Sequence, residues 1–414
     1  MSGKSFLRKR SVTLAFLIFG LSLGAARAQQ ETLLYNFCAT RGCPDGLGPY
    51  AGVVLDQKGN LYGTTASGGN PQACNGTGCG VVFRLTPAGK ESIYRFCSQQ
   101  GCTDGAVPSA GLVFDHQRNL YGTTYGGGAY GLGTVFRINP EGKETVLYSF
   151  CAQHGCPDGA QPLGGVVLDG NGNLYGTTNG GGTSQNGTVF KLTPDGQETV
   201  LHSFCGQLCG NDGIEPKAGL VFDQAGNLYG TTVLGGSGSG LLGGGTVFKL
   251  TPEGNESVLY SFCSLANCSD GSGPTSGLVL DRNGNLYGTT PGGGNEKFGS
   301  GVVFKLTPDG TETVLYSFCG QTNCTDGAYP LAGVVFGPGG KLYGTTDSGG
   351  ETGIGGVVFE VSPQGEKVLH SFGVQATDGQ VPQAGLVFDR QGNLFGTTTS
   401  GGANHGGVVF KLAP

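Results

Sequence analysis

Leu120-Tyr121-Gly122-Thr123-Thr124 decides how this chain is read, because the same string returns at Leu61, Leu174, Leu228, Leu286 and Leu342, and as Leu-Phe-Gly-Thr-Thr at Leu394. Successive copies start 52 to 59 residues apart. A period of that size marks one supersecondary unit repeated along the chain, so the fold follows from the unit. Working outward from the quoted copy, Ala-Gly-Leu-Val-Phe-Asp precedes it (110 to 115), Gly-Thr-Val-Phe-Arg-Ile follows it (133 to 138), and Glu-Thr-Val-Leu-Tyr-Ser-Phe closes the unit (144 to 150). Each segment is short, β-branched or aromatic, and bounded by Gly, Pro, Asn or Asp, which is the pattern of strands and tight turns.

The turns between the first and second segments and between the third and fourth are too short for anything but antiparallel pairing, so one unit is a four-stranded meander. Seven such meanders predict an all-β, seven-bladed β-propeller, with the Gly-Leu-Val-Phe-Asp strand innermost. The ends of the chain support a closed ring. Glu31 to Phe37 reads as a fourth strand with no preceding three, and Val409 to Leu412 as a third strand with no fourth. Together they complete one blade and leave no unpaired seam. An open β-array, the alternative, would want two dissimilar caps.

Composition alone would mislead, since 84 glycines and 19 prolines in 414 residues suggest low complexity. The period overrules that impression. Residues 1 to 28 stand apart: Lys4, Arg8, Lys9 and Arg10 precede an apolar run from Val12 to Leu23, and Ala26-Arg27-Ala28 suits cleavage. This is the pattern of a secretory signal peptide, too short in its apolar run to span a bilayer comfortably. Its removal takes away five basic residues and moves the formal charge from −6 to −11. So acidic a chain argues against nucleic acid as a partner. The expected location is secreted or periplasmic, with no membrane span after cleavage.

The meander sorts loops onto faces. Tight turns leave from one face, while the glycine-rich loops after the second strand and the crossovers between blades leave from the other. Ligands of propellers sit where long loops converge over the channel, so any binding site is expected there. Six crossovers carry close cysteine pairs: Cys38/Cys43, Cys97/Cys102, Cys151/Cys156, Cys205/Cys209, Cys263/Cys268 and Cys319/Cys324. A further pair, Cys74/Cys79, lies in the first glycine-rich loop. The seventh crossover has lost both members together, as mutual pairing predicts. With an export signal the pairs read as disulfides, zinc being the weaker alternative.

Candidate catalytic residues are few. His202 and His370 occupy positions held elsewhere by Tyr94, Tyr148, Tyr260 and Tyr316, so they read as packing residues of the outer strand. Asp56, Asp115, Asp169, Asp223, Asp281 and Asp389 read as turn formers. The Asp-Gly pairs at Asp45, Asp104, Asp158, Asp212, Asp270, Asp326 and Asp378 recur in all seven copies on the long-loop face. They read as turns that aim the crossover back at the channel, or as a ring of calcium ligands, calcium being the one cofactor the pattern admits.

Positions that differ between copies carry the binding expectation. Tyr50, Ser109, Leu163, Lys217, Thr275, Leu331 and Gln383 precede the inner strands; Ala66, Tyr125, Asn179, Val233, Pro291, Asp347 and Thr399 follow the Gly-Thr-Thr. Both sets are expected to ring the channel mouth. Tyr50, Tyr125, Tyr130 and Tyr329 would supply aromatic faces there, and Glu215, Lys217 and Asp347 charge, a mixture that suits a sugar or a peptide. Chance variation at exposed positions is the bland reading of the same pattern.

The combination of Cys-x4-Cys-x-Asp-Gly, Ala-Gly-Leu-Val-Phe-Asp, Gly-Asn-Leu-Tyr-Gly-Thr-Thr and Gly-Gly-x-Val-Phe-Lys-Leu-Thr-Pro-x-Gly resembles the GloVer tandem repeat of exported bacterial "choice-of-anchor" proteins. The strand order is similar to propellers of the NHL and SMP-30 type. The resemblance covers the whole chain after residue 28 and implies export and repetition, with no activity attached. Members typically end in a surface-sorting segment, which is not seen after the last strand here, so free secretion or the periplasm is favoured over anchoring. The expected function is a monomeric binding or scaffold module for carbohydrate or an extracellular protein. A metal-dependent propeller hydrolase, lactonase or lyase, with its site at the channel mouth, is the alternative, though near-interchangeable copies lack the asymmetry catalysis needs.

Overall fold

The computed structural model describes residues 31–87, 89–205, 211–238, 243–294 and 299–413. The leader expected over 1 to 28 lies outside them. The repeat folds as the unit predicts: seven four-stranded antiparallel sheets, arranged as the blades of a propeller. Blade 2 is typical, with an inner strand Val113–Phe114, a second strand Leu120–Thr124, a third Thr134–Ile138 and an outer strand Glu144–Ser149. The inner strand is narrower than its sequence suggests, since only two residues enter the ladder. Blade 7 is the shared one. Its first three strands, Val387–Phe388, Leu394–Thr398 and Val408–Leu412, come from the end of the chain, and Glu31–Asn36 supplies the outer strand with Leu33 opposite Phe410.

Every residue of Leu-Tyr-Gly-Thr-Thr has a physical task. Leu61 is buried in the core. The Tyr62 hydroxyl donates to Asp56 Oδ2 (3.2 Å), which also accepts from Asn60 Nδ2 (2.9 Å), while Asp56 Oδ1 caps the turn through the Lys58 and Asn60 amides. Gly63 faces the Phe83 ring, where a Cβ would stand 2.6 Å from Cζ. Thr64 Oγ1 reaches into the next blade and donates to the Ala110 carbonyl (3.0 Å), and Thr65 Oγ1 donates to the Ser67 carbonyl (2.9 Å).

The blade-to-blade bond repeats all round the ring, as Thr123 to Gly164, Thr177 to Ala218, Thr231 to Ser276, Thr289 to Ala332, Thr345 to Ala384 and, across the seam, Thr397 to Ala51. Apolar packing follows the same path. The Phe ending each outer strand meets the third-strand Phe of the next blade, edge-on in six interfaces and tilted between Phe318 and Phe359, from Phe37 on Phe83 (5.1 Å between centroids) to Phe372 on Phe410 (5.0 Å). The core is therefore seven interfaces between blades, each holding a buried aromatic pair.

Loops sort as the meander requires. Each crossover pairs with the long loop of the blade it enters, as at Leu47/Ser67, Ala106/Gly126 and Ala328/Ser348, so both lie on one face. Six disulfides hold this face: Cys38–Cys43, Cys74–Cys79, Cys97–Cys102, Cys151–Cys156, Cys263–Cys268 and Cys319–Cys324. Cys205 is disulfide-bonded as well; Cys209, its expected partner, lies outside the described residues. These bonds fit an oxidising, extracellular environment. Among the described residues no helix is long and apolar enough to cross a membrane.

Candidate functional site

The channel is tight because the Ala-Gly, Gly-Gly or Ser-Gly pairs that open the inner strands bring several backbones together. A Cβ on Gly52 would stand 2.4 Å from the Gly385 carbonyl oxygen of the neighbouring blade. A cavity of about 330 Å³ occupies the channel, lined by Tyr50, Ser109, Leu163, Lys217, Leu331 and Gln383 together with the Ala-Gly backbone below them. Six of the seven positions that vary before the inner strands thus meet around one opening. The seventh, Thr275, donates its hydroxyl to the Leu331 carbonyl (3.2 Å).

The candidates divide. Tyr50 and Lys217 line the channel, and Glu215 pairs with Lys217 (3.3 Å). Asp347 accepts from Gln383 Nε2 (2.6 Å), so it stands one step outside the lining. Tyr125 is bound through its amide to the Val107 carbonyl (3.0 Å). Tyr130 is not at the mouth: its loop folds over the outer strand of blade 2, where the Ala129 amide donates to Ser149 Oγ (3.2 Å). The glycine-rich loops curl outward because their N–H groups are satisfied at the blade's periphery, a direction that sequence spacing does not encode.

Tyr329 and Glu215 belong to a ring the repeat pattern concealed. Val107, Gln161, Glu215, Tyr329 and Val381, with Gly48 and Gly273 in the other two copies, precede the crossover proline and all have φ between +57° and +64°. The geometry has a cause. The amide of each reaches back to the preceding blade, as Val107 to the Cys79 carbonyl and Tyr329 to the Ser300 carbonyl, while in every copy but the fifth, where Pro291 offers no N–H, its own carbonyl turns forward to accept the amide after Gly-Thr-Thr, as from Tyr125 and Asp347. Only a left-handed residue serves both bonds. Five of seven copies carry a side chain where glycine would cost less, so strained side chains are held at the mouth. The readable signal was the invariant proline preceded by a residue that differs in almost every copy.

The Asp-Gly aspartates do not converge on the channel. Each is held at its own blade seam. The Tyr94 hydroxyl donates to Asp104 Oδ2 (2.8 Å), which also accepts the Ser98 amide (2.8 Å) and the Ser98 hydroxyl. Tyr35 to Asp45, Tyr148 to Asp158, Tyr260 to Asp270 and Tyr316 to Asp326 repeat the first bond. Where His replaces Tyr, His202 Nε2 lies 3.3 Å from Asp212 Oδ2, and His370 Nε2 lies 3.6 Å from Asp378 Oδ2. A glutamate from the next outer strand joins six of these seams as a third group. Burial, with the nearby aspartate adding to it, pushes Glu144, Glu198, Glu312 and Glu366 up to about 7. Sequence reading passed over these glutamates, although one opens nearly every outer strand.

Beyond the channel, cavities lie on the tight-turn face, including one of about 420 Å³ between blades 1 and 2 beside Lys58, Arg84 and Arg118. The turn aspartates on that face act as read: burial would raise Asp115, but hydrogen bonds from Asn119, Tyr121 and Gln117 hold it below the usual carboxylate range. In the sixth copy, where Gly337 stands for aspartate, the Tyr343 hydroxyl turns to Glu360 (2.9 Å), itself paired with Lys341 (2.6 Å).

The Gloeobacter/Verrucomicrobia repeat matches residues 17–242 and 237–414, which spans the propeller. The chain belongs to this repeat family. No curated protein matches it. Solved structures match this repeat protein at low identity. A fungal alcohol oxidase of the AA5 family, in complex with copper, superposes with a TM-score of 0.56 at 12% identity, covering 94% of this chain and 76% of that one. A protein assigned as a gluconolactonase gives 0.40 at 15%, covering 73% and 87%. One from Thermus thermophilus, assigned as an oxidoreductase (glucose dehydrogenase), gives 0.41 at 16%, covering 93% and 100%. At 12% identity the likeness to the alcohol oxidase speaks for the fold alone.

Proposed function

We propose that this repeat protein is an exported binding or scaffold module that docks a carbohydrate or protein partner through its long-loop face. One observation carries the reading. Among the described residues, the exposed large hydrophobics are Tyr50, Tyr130, Leu265, Tyr329, Ile354 and Val374, and all six lie in crossovers or long loops. Half of them are tyrosines, 48%, 54% and 45% exposed at 50, 130 and 329. Exposed apolar side chains gathered on one face mark an interaction surface, and tyrosine offers a flat apolar body with a polar tip suited to sugar rings or peptide groups.

Charge at the mouth is sparse and internally paired, which supports docking over acid–base turnover. Lys217 is the one charged side chain lining the channel among the described residues, and it faces Glu215. The test is a glycan array and an extracellular-protein binding screen with the wild type, Tyr50→Ala and Tyr329→Ala. A hit should weaken at least tenfold in each variant, about 1.4 kcal/mol, and Lys58→Ala on the opposite face should leave it unchanged. Blank arrays, or robust metal-dependent hydrolase or lactonase turnover, would reject the reading.

A further inference from the structure

The seam between blades 6 and 7 departs from the others in three ways that share one physical explanation. Its outer strand, Gly365–Ser371, carries His370 where five seams have tyrosine. Its crossover is the one without cysteines, and it is short: Phe372 and Asp378 are six positions apart, where the equivalent residues Phe96 and Asp104 are eight apart. The shortening removes the backbone donor that holds the aspartate elsewhere, supplied by Ser98, Ala152, Ser264 and Gly320 in other blades. Asp378 is 5% exposed and its Oδ1 has no hydrogen-bond partner, where Asp104, Asp270 and Asp326 accept the Gln99, Leu265 and Gln321 amides on that atom and Asp158 Oδ1 is likewise unpaired.

Two further unsatisfied atoms face it. His370 Nε2 and Glu31 Oε1 are buried without a hydrogen-bond partner, the latter as in the equivalent glutamates of other blades and the former in this seam, and Nε2 lies 3.6 Å from Asp378 Oδ2 and 3.7 Å from Glu31 Oε2. Those separations are too long for hydrogen bonds. They are close to the edge of a tetrahedron of ligands about 2.1 Å from a zinc ion, roughly 3.4 Å. One ligand atom from each residue lies within 4.8 Å of the others. A cavity of about 280 Å³, bordered also by Glu351, Gln375 and Thr377, opens onto the trio and gives an ion a path in.

We propose that Glu31, His370 and Asp378 form a site for a divalent transition-metal ion of the zinc class, with the fourth position open to the cavity. One imidazole nitrogen and two carboxylates are a borderline donor set that suits zinc, whereas magnesium and calcium prefer oxygen alone. The position gives the ion a task. Glu31 belongs to the strand that closes the ring, His370 to the neighbouring blade and Asp378 to the crossover between them, so the ion ties the closing strand to the adjoining blade where no disulfide does.

The seam at His202, Asp212 and Glu256 supplies an internal comparison. The same residue types meet there, but Asp212 accepts the Cys205 amide on Oδ2 (2.8 Å) and the Gly213 amide on Oδ1 (2.7 Å), and His202 is within reach of both oxygens. Both Asp212 oxygens and the His202 nitrogen are thus engaged, and only Glu256 Oε1 is left without a partner. The site borders the docking face at Val374, but its test does not require a docking partner.

The experiment is zinc titration of the chelator-treated, oxidised protein by calorimetry, with thermal unfolding in parallel. Expected are one zinc per chain and a melting temperature raised by about 3 °C at zinc 100-fold above the dissociation constant. His370→Tyr restores the tyrosine–aspartate bond of five other seams, so it should fold and bind zinc at least tenfold more weakly. Glu31→Gln should weaken it similarly, and His202→Tyr should not. Absence of zinc binding by the wild type, or undiminished binding in both His370→Tyr and Glu31→Gln, overturns the proposal.

Discussion

At the scale of single residues, the repeat is a set of steric and hydrogen-bond requirements that few substitutions satisfy. The glycine of Leu-Tyr-Gly-Thr-Thr is the strictest. A Cβ on Gly230 would stand 2.6 Å from Phe248 Cζ and 2.8 Å from Leu220 Cδ2, both in the packed interface. Gly230→Ala should therefore destabilise by about 1–3 kcal/mol through overpacking, read as a lower denaturant midpoint. Gly111→Ala is the control, since its Cβ would meet nothing within 4 Å and its φ is not left-handed; an equal loss in both would refute the steric account. The mouth ring makes the opposite prediction. Val381 holds φ +60° with a β-branched side chain. Val381→Gly should stabilise by about 1 kcal/mol, because the strain relieved exceeds the chain entropy glycine adds. Thermal unfolding of the two proteins side by side decides it.

At the scale of strands and crossovers, the seams make stability depend on pH. Glu144, Glu198 and Glu312 are pushed up to about 7 from an ordinary 4.5 by burial first and by Asp104, Asp158 and Asp270 second. A carboxyl whose folded value is raised binds protons more tightly when folded, so its stabilising protonation is complete below about 4.5 and is lost as pH rises through 7. The protein should unfold at a higher temperature at pH 5.5 than at pH 8. With these groups partly solvated, each contributes on the order of 1 kcal/mol. Glu312→Gln should reduce the slope, and a flat profile from pH 5 to 8 would contradict the assignment. The seams also show where sequence reading stopped. Strand order, face assignment and cysteine pairing were legible because each is written seven times, or six, at fixed spacing. The contact of Glu144 with Asp104 was not, since Asp104 sits in the crossover into blade 2 and Glu144 stands 40 positions on, in that blade's outer strand. Nor was the outward fold of the Tyr130 loop, set by an amide bond to Ser149, or the positive φ of Val107, which no propensity for valine would suggest.

At the scale of the whole molecule, the decisive contact is the one that joins residue 31 to residue 412, because it converts an open stack of sheets into a ring. The closing strand is six residues long, and it brings Phe37 onto Phe83 of blade 1 and Leu33 into the blade 7 core. Without it the Val408–Leu412 strand presents a bare edge, and the Phe83 face of blade 1 loses its partner. Both are apolar, so the exposed surfaces would seek each other in other molecules. Replacing Leu33 and Phe37 by alanine attacks the closure without touching any disulfide or the channel. Truncation of the buried Phe37 costs about 3–5 kcal/mol, and that of the partly buried Leu33 less than a core leucine would. The double variant should lose hydrogen-exchange protection first in the third strand of blade 7 and the second and third strands of blade 1, on opposite sides of the opened interface, before protection falls in blades 3 to 5. Simultaneous loss in all seven blades would mean that the ring unfolds as a single unit, and that closure contributes no more than any other interface.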